Sequence, residues 1–545
     1  MPRYKNVEYP FVVPPELQSG APGKYPVAIV GAGPIGLAMA IDLALQGVRS
    51  VVLDDNNVVS VGSRAICWAK RTLEIFDRLG VADQMLEKGV TWQVGRLFHR
   101  DKEVYQFDLL PDTEQKMPAF INLQQYYVEQ YLVERAAEFS DLIDIRWLSK
   151  VVGEDAREDG VTVHAETPEG PYSLEVEYLL ACDGGKSGVR SRMGLEFAGH
   201  TFEERFLIAD VEMPVAPFPD EDVHERWFWF APPFHNGQSS LLHKQPDNIY
   251  RIDLQLGPDA DPVEEAKPEN VIPRIKHIVG DKPFELDWVS VYSFTCAKLD
   301  EFVHGRVIFV GDSAHVVSPF GARGGNGGLQ DVDNLGWKLS SVLKGEASPA
   351  LLETYNEERR HGAMENIKHS SRATNFMTPK SKMEAVFRDE VLNLAATHPF
   401  AQKLVNSGRL SVPCSLEGLS LQTPSSSDHD IRPGMACPDA AFQHDGEDIW
   451  LLNQLGGEFI VLTIGAAAKG VAPQGLKELH IDISTKRAGS ATDQNEAIKR
   501  RFRENMIYLI RPDQHIAAIF TAEEAHNLVP ALHRAKARTE LEAVQ

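Results

Sequence analysis

The glycines Gly31, Gly33 and Gly36 and the acid Asp54 are spaced to hold a dinucleotide. Gly31 permits a tight strand-to-helix turn, Gly33 lets the backbone approach a pyrophosphate, and Gly36 lets helix and strand pack closely. A helix starting at this turn would aim unpaired N–H groups and its positive dipole end at the phosphates. Asp54 follows about 20 residues on, where an acid bonds ribose hydroxyls. Two more acids stand beside glycine at the end of an apolar run: Asp183-Gly184 after 178–182, and Gly311-Asp312 after 307–310. Such strand ends are where open α/β sheets meet ligands, although an Asx turn would read the same at Asp183. Past Asp312, Pro319 and five glycines between 321 and 328 predict a loop whose ordering costs entropy. That cost is explained if the backbone lies against a ligand.

The elements that must position these groups are legible in outline. Residues 27–30 read as a buried parallel strand, followed by a helix to Gln46 that Gly47 stops, and by a second strand ending in Asp54. Leu73, Phe76 and Leu79 mark a helix closed by Gly80, with Arg64 before it as either a surface group or a cofactor contact. Residues 121–139 predict a helix with Val128, Tyr131 and Leu132 on its buried face. Residues 143–176 predict a β-meander covering the main sheet. Residues 201–303 are rich in aromatics (Trp227, Phe228, Trp229, Phe230, Tyr250, Trp288, Tyr292, Phe294) and predict an antiparallel sheet. One face would cover something flat and apolar, or be ordinary core. A helix with Leu329, Val332, Leu335 and Leu339 on one side follows the glycine loop, and 353–361 reads as charged helix. A Ser-, Pro- and Asp-rich stretch within 408–433 marks a linker, beyond which strand, helix and strand alternate as a small α/β domain.

A chain of 545 residues predicts two or three domains. The net charge of −23 argues against nucleic acid and anionic membrane surfaces, which would repel it. The five cysteines are scattered without CxxC or metal-ligand spacing, which suits a reducing compartment and predicts no metal site. The N-terminal residues lack a signal peptide's apolar core, and the 27–41 run is too short to span a bilayer. A cytoplasmic protein is expected.

Three motifs in order, GAGPIG with Asp54, CDGG at 182–185 and GDSAH at 311–315, resemble the FAD-dependent aromatic hydroxylases. The segments SRAICWAKRTLEIF and PFGARGGNGGLQDVDNLGWKL are most similar to the branch of phenol hydroxylase and 3-(3-hydroxyphenyl)propionate hydroxylase. The resemblance implies an α/β fold: a Rossmann-like FAD-binding domain of p-hydroxybenzoate hydroxylase type, an antiparallel substrate domain, and a thioredoxin-like C-terminal domain. The boundaries expected are 1–25 for an extended arm; 26–90, 116–200 and 301–400 for FAD binding; 91–115 and 201–300 for substrate. A linker at 401–430 and the C-terminal domain at 431–545 follow. The tail lacks the CxxC of a redox thioredoxin, so a structural role, such as dimerisation, is expected.

The resemblance assigns the ADP half of FAD to Gly31, Gly33, Pro34, Gly36 and Asp54, and further cofactor contacts to Arg64, Gln125 and Asp183. Gly311 and Asp312 match the ribitol contact, and Pro319, Gly324, Gly325 and Asn326 the loop beside the isoalloxazine ring. It implies NADH or NADPH as co-substrate, O2, a flavin C4a-hydroperoxide, and hydroxylation of a phenolic acid or simple phenol by a homodimer. His243, Tyr250, Arg251 and Tyr292 are candidates for the base or orienting group, while His315 is expected to support its loop. Ile66 and Cys67 stand about where phenol hydroxylase carries an acid. The readings left open are an FAD oxidoreductase or epoxidase acting on a polyketide or terpenoid, and a flavoprotein that carries a ligand without turnover.

Overall fold

The computed structural model describes residues 4–62, 64–92, 94–108, 114–218, 224–405, 412–425, 430–444, 447–483, 491–492 and 496–538. The β-branched run of Gly23–Val30 forms the central strand of an eight-stranded sheet. It runs parallel to Ser50–Leu53 on one side and Gly170–Ala181 on the other. Ser50–Leu53 in turn pairs with Ile143–Arg146, and Gly170–Ala181 with Val307–Phe309, again in parallel. Helices Pro34–Leu45 and Gly324–Leu343 pack together over this sheet, and the 28-residue helix Ala350–Met377 packs on the latter. The charged stretch 353–361 is thus one part of a much longer helix.

Three expectations need correcting. The meander does not cover the sheet but extends it. Gly170–Ala181 has 12 residues, so its first half has an edge left over for Val161–Thr167, which carries Lys150–Ala156. Residues 120–122 are a strand, paired on both sides by Cys67–Ala69 and Val90–Trp92, and the helix begins only at Gln125. Its buried face holds Val128 and Leu132, with Tyr131 half-buried. The glycines from Gly324 to Gly328 belong to the first turns of a helix, not to a loop. A Cβ on Gly328 would lie 2.6 Å from Ile35 and 3.2 Å from Gly311, so close packing, not ligand approach, calls for that glycine.

A second eight-stranded sheet contains Glu285–Lys298, Ala198–Glu212, Ile249–Gly257, Ser240–Lys244 and Glu225–Phe230 in that order. Val94–His99 joins it parallel to Glu225–Phe230, followed by Lys102–Asp108. The N-terminal segment is not a bare arm. It contains the helix Pro15–Ser19, stacks Tyr9 on Trp147, and buries Glu16 against Arg146 at 2.8 Å. Between the domains, helix Pro399–Val405 and buried Leu416, Leu421 and Gln422 replace a loose linker; 406–411 and 426–429 lie outside the described residues.

The C-terminal domain, thioredoxin-like, carries a seven-stranded sheet with parallel Ile460–Ile464 and Lys477–Asp482 and the hairpin Met506–Ile510/Ile516–Thr521. Buried charges dock it. Arg511 holds Glu358 at 2.6 and 2.9 Å, Glu358 also accepts from Lys338 at 2.7 Å, and Arg71 donates to the Asp513 carbonyl at 2.8 Å. Arg71 and Arg78 share Asp333, and Arg78 reaches Asp42.

Burial pushes the Glu358 carboxyl upward, but Arg511 and then Lys338 outweigh it and hold the carboxyl well below the ordinary range. Asp513 is held low in the same way, chiefly by Arg511. Carboxylates with depressed folded-state values contribute stability that is complete above about pH 4 and lost as pH falls below it. Melting temperature should therefore drop steeply below about pH 4. In Glu358→Gln the melting temperature should be lower throughout and should depend less on pH in this range, which calorimetry across pH 2.5–7 would check, taking about 4 as the ordinary carboxylate value.

Candidate functional site

The register of the main sheet brings the three motif turns to one edge. Val30 pairs with Ala181 and Ala181 with Phe309, so Gly31, Cys182-Asp183 and Gly311 all leave the sheet at adjacent carboxyl ends. This is the crevice where open α/β sheets bind ligands. At Gly31, φ is +106° and a Cβ would stand 2.7 Å from the Cys182 carbonyl oxygen, so only glycine fits. Gly33 differs: no protein atom lies within 4 Å of where its Cβ would be. It caps the Pro34–Leu45 helix with no side-chain hydrogen bond, leaving the helix N-terminus open to a ligand.

Asp54 accepts from the Ala32 N–H at 2.6 Å and the Asn56 N–H at 2.9 Å, one bond to each oxygen, so each keeps a free lone pair. Burial raises its pKa, and those two N–H groups oppose the rise. Asp183 accepts from the Val189 N–H at 3.1 Å through one oxygen, while the other is buried with no hydrogen-bond partner. Arg190 ties this turn to the next, donating to the Gly185 and Ser313 carbonyls.

Asp312 is exposed to the cleft yet walled by protein elsewhere, and this desolvation raises its pKa against the pull of His315 and Arg64. Its carboxylate lies beside the first residue of the Gly324–Leu343 helix, 3.9 Å from a Cβ placed on Gly324. Gln125 accepts from the Ala65 N–H at 3.1 Å and donates to Ser60 and Glu129, so it fixes the segment carrying Arg64. Arg64 itself is exposed. His315 is buried and bonded to Asp331 at 2.7 Å, a support for its loop. Asn326 receives the Ala69 N–H and donates to the Cys67 carbonyl, both at 2.9 Å, which pins the helix start to strand Cys67–Ala69.

The second sheet turns its inner face toward these groups. Cross-strand register puts Arg226, His243, Arg251 and Asp210 in one buried row across four strands. Arg251 is paired with Asp210 at 2.7 Å. Further along, Phe206, Phe294 and Phe320 meet with ring centroids 4.7–5.7 Å apart, and Tyr292 packs against them. Phe320 follows exposed Pro319, so the loop of the first domain plugs into the apolar face of the second. Tyr250 points the other way, into a cluster with Phe218 and Ile275 behind the sheet. It precedes Arg251, and neighbours on a strand face opposite sides. Tyr250 is thus not brought together with His243, Arg251 and Tyr292.

Residues 24–370 match the FAD binding domain family. The chain belongs to the FAD-dependent monooxygenases. It is 30% identical over 389 residues to a 3-(3-hydroxy-phenyl)propionate/3-hydroxycinnamic acid hydroxylase of Mycolicibacterium smegmatis, covering 71% of this chain and 67% of that one. It is 29% identical to a 12-dehydrotetracycline 5-monooxygenase/anhydrotetracycline 6-monooxygenase of Streptomyces rimosus, over 72% and 78% of the two chains. A flavin-dependent monooxygenase solved with FAD and substrate superposes with a TM-score of 0.81 over 95% of this chain and all of that one, at 22% identity. The residues of this monooxygenase fit its cofactor: a glycine, Gly33, clear of protein at the turn, an uncapped helix end, and two acids with lone pairs to spare.

Sequence reasoning missed Arg226 and Asp253 and noted Cys67 only for what it replaces. Cys67 Sγ lies 3.8 Å from Arg226 and 4.0 Å from His243, and His243 lies 3.8 Å from Asp253. Cross-strand register aligns Arg226, His243 and Asp253, and packing of the small sheet holding Cys67 against that face brings in the sulfur; a single sequence reveals neither.

Proposed function

We propose that this monooxygenase hydroxylates the ring of a phenolic compound, a phenolic acid or simple phenol, using NADH or NADPH and O2. The buried row Arg226–His243–Arg251, set beside an apolar aromatic face, is the observation that supports this most. Gly31, Gly33, Pro34, Gly36 and Asp54 would hold the ADP half of FAD, with Arg64 and Asp183 nearby and Gly311 and Asp312 at the ribityl chain. Pro319, Gly324, Gly325 and Asn326 would lie along the ring. When bound, FAD supplies the electrons and activates the oxygen. The protein's own part is to orient the phenol, bear its negative charge and keep water out. Phe206, Phe294, Phe320 and Tyr292 would form the dry wall, and the row of Arg226, His243 and Arg251 the polar end.

A screen of phenols and phenolic acids with the FAD-loaded protein tests this. Substrate should speed NAD(P)H oxidation with matched oxygen uptake and release of a catechol or hydroquinone. Oxidation of a substrate without oxygen entering a ring would sink the reading. The second reading, an FAD oxidoreductase or epoxidase acting on a polyketide or terpenoid, takes only its polyketide substrate class from the tetracycline-acting relative and would show as turnover of such substrates with no hydroxyl added to an aromatic ring.

Asp312→Asn should weaken FAD binding about 10–100-fold, the worth of one hydrogen bond to a charged group, as read by fluorescence titration. We also propose a cytoplasmic homodimer. Among the described residues no helix is long and apolar enough to cross a membrane. Met383, Val386, Phe387, Leu394, Phe400 and Leu404 are exposed on two adjacent helices, a patch suited to a second copy. Light scattering should return twice the chain mass, and Phe387→Glu should halve it.

A further inference from the structure

Arg226 is 5% exposed, and among the described residues it has no carboxylate within ion-pair distance. Its contacts are the Cys67 sulfur at 3.8 Å and the faces of Trp92 and Phe228 at 5.5 and 4.7 Å, and its Nε has no hydrogen-bond partner. A buried guanidinium left in this state is costly and calls for an anion. His243, 2% exposed, directs Nδ1 at the same sulfur, while its Nε2 has no hydrogen-bond partner and faces Asp253 at 3.8 Å. Opposite these, Asn122 Oδ1 is 3.2 Å from the sulfur, positioned to accept an S–H.

Both protonation states of Cys67 therefore have partners: Arg226 and His243 for the thiolate, Asn122 for the thiol. Cys67 also stands where the two domains meet. Its carbonyl is held by Asn326 of the Gly324–Leu343 helix, and Ala322 of the preceding loop packs on the cluster formed by Ile66, Cys67, Trp92 and Phe120.

We propose that Cys67 accepts the proton of the phenolic hydroxyl and that Arg226 then holds the phenolate. The O–H bond breaks, an S–H bond forms, and the electron pair stays on the phenolate oxygen, so nothing is oxidised or reduced. One negative charge lies beside Arg226 before and after the transfer, and the buried site never has to host an additional charge. The surroundings agree with this assignment. Burial pushes the thiol pKa up, but Arg226, then His243 and Arg251, outweigh it and hold the thiol below its ordinary value. Arg251 is itself balanced by Asp210, and Asp253 is the remaining charged group facing His243.

The inference rests on the ring-hydroxylation reading, and 4-nitrophenol, whose ionised form is coloured, tests it on the FAD-loaded protein. The parent should bind it as phenolate at a pH well below its pKa in water. Cys67→Ser leaves Arg226 without its anion, so the phenol's proton must go to solvent: phenolate affinity and kcat/KM should fall about tenfold per pH unit below the phenol's own pKa, about 100-fold two units below it, whereas the parent should stay level there. Arg226→Gln should abolish phenolate binding, with FAD content unchanged as the control for folding. The same pH dependence in Cys67→Ser as in the parent would overturn the proposal while leaving hydroxylation standing. Failure of the parent to bind or turn over any phenol would remove both.

Discussion

Gly33→Leu is expected to yield a folded, colourless protein whose FAD affinity is at least about 10³-fold below the parent's, a loss of roughly 4 kcal/mol. The backbone at Gly33 is extended, with φ −77° and ψ −176°, and nothing stands within 4 Å of its Cβ position, so the side chain fits the protein itself. It would fill the space in front of an uncapped helix terminus, where the pyrophosphate should approach. Gly36→Leu is the contrast: its Cβ would run into the Gly31 carbonyl and lie 3.2 Å from Ile29, so helix and strand must separate and the fold itself should fail. Far-UV dichroism with FAD titration distinguishes the two. A yellow, cofactor-replete Gly33→Leu protein would mean that the dinucleotide lies elsewhere.

The second large effect is expected at the docking site of the C-terminal domain. Arg511→Met should cost about 3–5 kcal/mol, because Glu358 and Asp513 would stay buried without their guanidinium. Both carboxylates, Lys338 and Arg511 are fully enclosed, so water cannot take over the lost bonds. The double variant Arg511→Met with Asp513→Leu removes one orphaned charge and should recover part of the loss, as urea unfolding would measure. Equal stability of Arg511→Met and the parent would show that the tail is held by its apolar contacts alone.

How much of this was legible in the chain depends on the range of the interaction. The Val27–Asp54 unit could be read because strand, turn, helix and acid follow one another within 28 residues and each has a local requirement. The three motif turns were legible one by one, and the resemblance linked them, but their meeting at a single edge rests on parallel register between strands far apart in sequence. The position of Tyr250 could have been corrected from sequence alone, since Tyr250 and Arg251 cannot face the same side of a strand. The glycines at 324–328 misled because helix breakers were read as loop, when at Gly328 the tight contact with the Gly311 turn requires a residue without a Cβ inside a helix. Arg226 beside Cys67, and Arg71 beside Asp333, depend on which strands and helices become neighbours, which neither periodicity nor propensity encodes.

The order of strands in the main sheet bears on how the chain can be made. The strand Gly23–Val30 leaves the ribosome early but must wait for Gly170–Ala181 as a neighbour, and that strand waits for Val307–Phe309. Pairings this remote are slow to close and leave sticky, half-built intermediates on nascent chains. Production in a host should therefore respond strongly to cooler growth and to chaperone supply. No fragment ending before the helix Gly324–Leu343 should be able to take up the coenzyme during translation.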